Sequence, residues 1–214
     1  MAKMSAHGLL IAFEGIDGSG KTTLTHALYE ALVRQNIAAL LTKEPGSTPF
    51  GKQIRALILN SEHNKAPLAE YLLFAADRAD HIVQIVKPAL AAGKVVLCDR
   101  MADSAIAYQG YGRGLNIHNI TTVNEWTLQG IRPDITFYLE IDYATAQNRI
   151  GKRMEAQSSF DQAEEAFFAR VVHGYEVLYQ DRTDVIRINA SHAPEIVFDE
   201  VLHQILSMVG SVEA

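Results

Sequence analysis

The run Gly15-Ile16-Asp17-Gly18-Ser19-Gly20-Lys21-Thr22 constrains this chain more than any other eight residues. It meets the pattern G-x-x-x-x-G-K-[ST], in which each fixed letter has a physical task. The glycines allow a tight turn whose successive N–H groups point inward at phosphate oxygens. Lys21 supplies positive charge to the β- and γ-phosphates, and Thr22 offers a hydroxyl to Mg2+. Before the loop, residues 8–14 (GLLIAFE) are apolar on both faces, as a central parallel strand is. After it, Leu24, Ala27, Leu28, Ala31 and Leu32 recur at helical spacing, so the loop also faces the positive end of a helix dipole. The pattern alone arises by chance in roughly one chain of this length in several hundred, and its strand–loop–helix context makes chance smaller still.

Further apolar runs occupy 37–44, 94–100, 134–142 and, more weakly, 184–190. Helical patterns fill 67–92, 116–129, 144–155, 164–179 and 195–209, with Pro88 predicting a kink or a fresh helix start inside the first of these. Strands alternating with helices predict an α/β fold: a five-stranded parallel sheet with helices on both faces, in one domain spanning 1–214. Hydrophobic residues make up 48%, enough for a sizeable core, and the net charge of −6 argues against a broad nucleic-acid surface. A single cysteine, Cys98, excludes an intrachain disulfide and suits a reducing cytoplasm. The apolar piece at 9–13 is too short for a signal peptide or a membrane helix. No His/Cys cluster suggests a transition metal.

In parallel α/β sheets ligands bind beyond the carboxyl ends of the strands. Asp99 and Arg100 close the 94–100 run. There the acid suits Mg2+ or its water shell, and the guanidinium is a bidentate fork for a phosphate. Asp17 lies inside the phosphate loop, where a carboxylate beside polyphosphate is awkward unless it faces a hydroxyl of a second substrate. Phe74 and Arg78 share one helical face and can hold a nucleobase by stacking and by hydrogen bonds to a carbonyl. On spacing alone, a core ring and a solvated cation explain them better.

The segments FEGIDGSGKTT, EPGSTPFGKQIRALIL, LLFAADRADHI, VVLCDR, SAIAYQGYGRG, RPDITFYLEID and INA, in order along most of the chain, resemble thymidylate kinase. That resemblance implies a P-loop NTPase fold and the phosphorylation of dTMP to dTDP with ATP and Mg2+, a step toward dTTP. It implies an ATP site of Gly15, Ile16, Asp17, Gly18, Ser19, Gly20, Lys21, Thr22, Thr23 and Arg149. The implied dTMP site comprises Asp17 for the 3′-hydroxyl, Arg55 and Arg100 for the phosphate, and Phe74 and Arg78 for thymine. Tyr108 lies against the sugar's 2′ position, with Ser104 and Gln109 beside it. Thr22 and Asp99 are implied at Mg2+, directly or through water. Small-molecule substrates, a homodimer, no nucleic acid, no membrane and a cytoplasmic location complete the expectation.

Catalytic charge is expected from Lys21, Asp99, Arg100 and an arginine. The loop interior holds no arginine, so the resemblance assigns this charge to a lid at about 149–160 that contains Arg149, Lys152 and Arg153. Two departures stand out. Ser158 and Ser159 occupy the place where bacterial relatives often carry an Asp-Arg pair, and Ala105 stands where they often have Thr or Asn. Two alternatives stay open at this point: another deoxynucleotide or deoxynucleoside kinase, and a P-loop ATPase switch that would need no acceptor site.

Overall fold

A computed structural model describes residues 8–59, 65–151 and 165–212. The strands are β1 (Leu9–Glu14), β2 (Ala39–Lys43), β3 (Val95–Asp99), β4 (Ile135–Glu140) and β5 (Val185–Asn189). They form one all-parallel sheet in the order β2-β3-β1-β4-β5, so β1 is central and every strand ends on the same edge. Register places Phe13 beside Asp99 on one side of β1 and Glu14 beside Tyr138 on the other. The five predicted strands are therefore all present, each a little shorter than its apolar run.

The doubly apolar reading of β1 is explained by its two faces. Ile11 and Phe13 join one core cluster with Leu24, Leu28 and Leu32 of α1 (Lys21–Arg34), and with Val201 and Ile205 of α9 (Pro194–Val212). Leu10 and Ala12 join a second cluster on the opposite face, with Val96, Cys98, Ile82, Val86 and Leu128. Successive residues of a strand point to opposite faces, so a strand covered on both sides has no polar side to show.

The long helical stretch at 67–92 is continuous but not uniform. It comprises α3 (Pro67–His81), a π-helical segment (Ile82–Val86) and α4 (Lys87–Ala91). The irregularity predicted at Pro88 is a widened turn just upstream. The N–H of Lys87 reaches back to the Ile82 carbonyl, five residues away, and Pro88 has no N–H to place. Two elements were not anticipated: α2 (Pro49–Leu59), and α5 (Ala102–Ala105) running into a second π segment (Ile106–Gly112). Both follow strand ends, where Gly- and Ser-rich sequence reads as loop. Of the remaining helices, α6 (Ile117–Leu128) and α8 (Glu165–Tyr179) fall inside the predicted patterns, and α7 (Tyr143–Gly151) starts one residue ahead of its own.

α2 is seated tightly on α3 through Gly51. A Cβ built there would lie 2.3 Å from Asp77 Oδ1 and 3.0 Å from Thr48 Oγ1. Asp77 Oδ1 cannot swing away without cost, because it accepts the Gly46 N–H at 2.9 Å inside the protein. Gly51→Ala should destabilise the fold by ~1–3 kcal/mol, the usual cost of overpacking. Thermal unfolding would register this as a Tm lower by about 2–10 °C. An unchanged Tm would show that Asp77 yields freely.

Candidate active site

The phosphate loop begins where β1 ends. Lys21 is buried, and its Nζ donates to the carbonyls of Gly15 and Ile16, both at 2.9 Å, and to Ser19 Oγ at 3.2 Å. The ammonium is thus centred inside the loop it serves. Burial and the nearby Arg100 charge pull its pKa down from 10.5 to about 8, against the opposing pull of Asp17, Asp99 and Glu14. Thr22 Oγ1 donates to Asp99 Oδ2 at 2.6 Å, joining the first turn of α1 to the end of β3. A hydroxyl and a carboxylate are hard oxygen ligands. They suit Mg2+, which takes few protein ligands and completes its shell with phosphate and water. Among the described residues no group of three or more His, Cys, Asp or Glu forms a metal cage.

Gly18 has φ +84°, and a Cβ there would meet the Ala146 carbonyl oxygen of α7 at 2.4 Å. The obstacle is backbone, so the loop closes directly on α7 and leaves no room for a side chain at this position.

Arg100 dominates the other half of the site. Its backbone is left-handed, φ +72°, a conformation that costs a non-glycine residue about 1–2 kcal/mol. Its N–H donates to Phe13 O at 3.0 Å, and its carbonyl accepts the Cys98 thiol at 3.1 Å. The turn aims the guanidinium back at the phosphate loop. Nη1 donates to Gly15 O (2.9 Å) and Ser104 Oγ (3.0 Å), and Nη2 to Asp17 Oδ1 (2.6 Å) and Tyr108 OH (3.3 Å). Asp17 turns the same way with its backbone, donating its N–H to Tyr108 OH at 3.1 Å. Of the two places expected for Asp17, the geometry favours the side of Arg100 and Tyr108 over the phosphate cradle.

Behind Arg100 sits Glu14, fully buried, which the sequence reading passed over. It accepts the Met101 N–H at 2.8 Å and the Ser104 N–H at 3.3 Å, and the hydroxyls of Ser104 and Tyr175. Burial, and then the charge of Asp103, push its pKa up to about 7 despite Arg100. A charged residue closing an apolar strand at the ligand edge is a signal that could have found it.

The profile of the thymidylate kinase family matches residues 13–201. A thymidylate kinase of Halothermothrix orenii is 44% identical over 201 residues, covering 92% of this chain and 96% of that protein. One of Alkalilimnicola ehrlichii is 40% identical over 204 residues, covering 94% of each. One of an Exiguobacterium species is 38% identical over 200 residues, with coverage of 91% and 92%. The chain belongs to the thymidylate kinase family.

The residues that the family resemblance assigns to the base gather around α3. Phe74 is half-buried against the main core cluster. Arg78, one turn on, is only 2% exposed, so it is not the solvated cation that spacing alone favoured. Its Nε donates to Glu44 Oε2 at 3.0 Å and its Nη1 to Asn124 Oδ1 at 2.6 Å. Burial would raise the Glu44 pKa, but Arg78 and His81 outweigh it and hold the carboxyl below its usual value. Gln109 sits on the second π segment with Nε2 3.5 Å from Glu70 Oε1. Tyr108, from the same segment, stands between Arg100 and the rings of Phe167 and Phe168.

Arg55, on α2, donates to Pro45 O at 3.0 Å, in the segment that follows β2. β2 and β3 are neighbours, with Lys43 beside Asp99, so Arg55 and Arg100 serve adjacent strand ends. Arg149 donates to Ala190 O at 2.9 Å, just past β5. Lys152, Arg153, Ser158 and Ser159 lie outside the described residues. Ala105 is buried with Tyr71, Ile106 and Ile120, where a polar side chain would need a partner. His81 was left unassigned by sequence. It is buried between Glu44 Oε1 (3.0 Å from Nδ1) and Thr42 Oγ1 (2.7 Å from Nε2), a supporting role for Arg78.

The lowered pKa of Lys21 gives a signed test of the donor loop. A bound polyphosphate restores the ammonium, so above pH 8 nucleotide binding should take up a proton and weaken as pH rises. Calorimetric titration with ATP at pH 9, in buffers of different ionisation enthalpy, should return an uptake close to one proton, against no lysine contribution at pH 7. Absence of uptake at pH 9, in a protein whose free Lys21 is shown by titration to have lost its proton at that pH, would place the γ-phosphate away from Lys21.

Proposed function

We propose that this chain transfers the γ-phosphoryl group of ATP to dTMP at the site built around Lys21 and Arg100. Membership of the thymidylate kinase family gives the reaction, and the junction of Arg100 with Gly15 and Asp17 carries the assignment of residues. A single guanidinium touches the donor loop and stands among the groups expected to hold an acceptor. A switch or plain ATPase has no use for that arrangement.

The acceptor is already an anion, so no protein nucleophile is needed. An oxygen of the dTMP phosphate attacks the γ-phosphorus in line, the bond to the β–γ bridging oxygen breaks, and ADP leaves. Lys21 and the loop N–H groups hold the donor phosphates, while Arg55 and Arg100 hold the acceptor phosphate against its repulsion. Asp17 receives the 3′-hydroxyl, and the Tyr108 ring crowds the 2′ position. Phe74 stacks on thymine, and Arg78 and Gln109 bond to its edge. Mg2+ held through Thr22 and Asp99 would screen the β- and γ-phosphate charge. Arg149, with Arg153 farther along the chain, adds charge on the donor side. The reading places the reaction in the cytoplasm, and its product is one phosphorylation short of dTTP.

The same reading includes a homodimer. Leu68 and Leu72 on α3 and Val83 on its π continuation are exposed apolar residues. Phe50 and Leu57 on α2 and Trp126 on α6, the last 80% exposed, are exposed as well, and α2 and α6 both pack on α3. Exposed apolar residues on three neighbouring helices support that reading. Trp126→Asp should shift the sedimenting mass toward the 23.6 kDa protomer, whereas an unchanged mass would remove α6 from the contact.

The decisive assay is ADP release across dTMP, dUMP, dCMP and thymidine as acceptors. Release should depend on an acceptor and be greatest with dTMP. Arg78→Ala should raise the KM for dTMP by roughly tenfold or more and leave the KM for ATP within about twofold. ATP hydrolysis indifferent to any acceptor would sink the kinase reading.

A further inference from the structure

We propose that Asn124, on α6, is a positioning residue for selection of the acceptor base. Its amide and the Glu44 carboxylate clamp the Arg78 guanidinium so that one nitrogen is turned to the base. The inference rests on the reading of Arg78 as a base donor.

A guanidinium is planar and rigid, so two hydrogen bonds to its edge fix both its plane and its rotation within that plane. Arg78 has two such bonds from different parts of the chain. Glu44, just past the end of β2, takes Nε, and Asn124 takes Nη1 at the short distance of 2.6 Å. Among the described residues the third nitrogen, Nη2, has no hydrogen-bond partner. It is the donor left for a ligand, one helical turn from the Phe74 ring.

The Asn124 amide is itself locked. Oδ1 accepts the Tyr71 hydroxyl at 3.0 Å as well as Arg78, and Nδ2 donates to the Ala102 carbonyl at 3.0 Å. The single Tyr71 proton is shared with the Ile120 carbonyl at 2.9 Å, so the orientation is decided by Arg78 and Ala102, and the flipped amide would set donor against donor at Arg78 and acceptor against acceptor at Ala102. Asn124 is 3% exposed, and so has no water to substitute for a lost partner. The other jaw is equally braced, since His81 bonds both Glu44 Oε1 and Thr42 Oγ1.

A fixed donor selects against a base that presents a donor in the same place. Thymine offers a carbonyl at ring position 4, whereas cytosine offers an amino group. Two donors facing each other leave both unpaired and desolvated, so discrimination depends on the guanidinium being unable to rotate away. Asn124 touches no substrate in this scheme and acts only through Arg78.

Asn124→Leu keeps the volume and removes the acceptor. It should raise the KM for dTMP roughly tenfold, leave the KM for ATP within about twofold, and cut the kcat/KM preference for dTMP over dCMP by roughly tenfold. Asn124→Asp restores an acceptor for Nη1 and should recover most of that preference, even though it loses the bond to Ala102 and some Tm. A purely packing role would lower Tm in both variants with base preference intact, and that result overturns the proposal. So would equal rises in the KM for dTMP and ATP. Arg78→Ala measured alongside separates the two claims. If it leaves base preference unchanged, the reading of Arg78 fails. If it abolishes preference while Asn124→Leu retains it, only the role of Asn124 fails.

Discussion

The Arg100 guanidinium bonds to the Gly15 carbonyl at 2.9 Å and to Asp17 at 2.6 Å, and the rest of the site is arranged around those two contacts. They require a residue at the end of β3 to reach across to the loop that ends β1. That is possible because β1 and β3 are adjacent and parallel, with Phe13 beside Asp99. They also require Arg100 to adopt a left-handed backbone, held by Phe13 and Cys98. Ser104 then bonds the guanidinium, and Glu14 and Tyr175 hold Ser104 from behind. Sheet order, strand register and a row of buried polar groups thus serve one placement.

The buried carboxylates behind the site do not behave alike. Glu44 has a depressed pKa, so its contribution to stability is present above the ordinary carboxylate range and is lost as pH falls through its lowered value. Glu14 and Asp77 have pKa values raised to about 7 and about 6, chiefly by burial. Between the ordinary carboxylate range and those raised values, the folded chain holds a proton that the unfolded chain has released. Their effect on stability is complete below about pH 4 and declines as pH rises through those values. The difference is one of partners. Glu44 has a full guanidinium at 3.0 Å, whereas Glu14 is surrounded mainly by N–H and hydroxyl groups, and Asp77 Oδ2 has no partner among the described residues.

The sheet was legible because both faces of each inner strand are covered, and a strand without a polar side announces itself. The phosphate loop was legible because its chemistry demands glycine, lysine and a hydroxyl at fixed spacing. α2 and the π segment bearing Tyr108 and Gln109 were not. The Gly and Pro letters in and just before them read as loop, and only packing on α3 and α8 makes them helical. Arg78 shows the limit most clearly. Its partners Glu44 and Asn124 lie 34 and 46 residues away, so spacing alone took a clamped, buried cation for a solvated one. Glu14 and Glu44 were visible as letters at strand ends, but their roles came from contacts made by distant segments.

The close approach of Gly18 to the Ala146 carbonyl bears on how this family diversifies. The family resemblance implies a catalytic arginine either in the phosphate loop or in the lid. In this chain the first option is shut by backbone, not by a side chain that one substitution could trim. A lineage moving from one solution to the other must shift α7 away from the loop before an arginine at position 18 can be tolerated. The spacing between the phosphate loop and α7 thus decides what position 18 can carry, and so where a transferring enzyme of this shape can draw its positive charge.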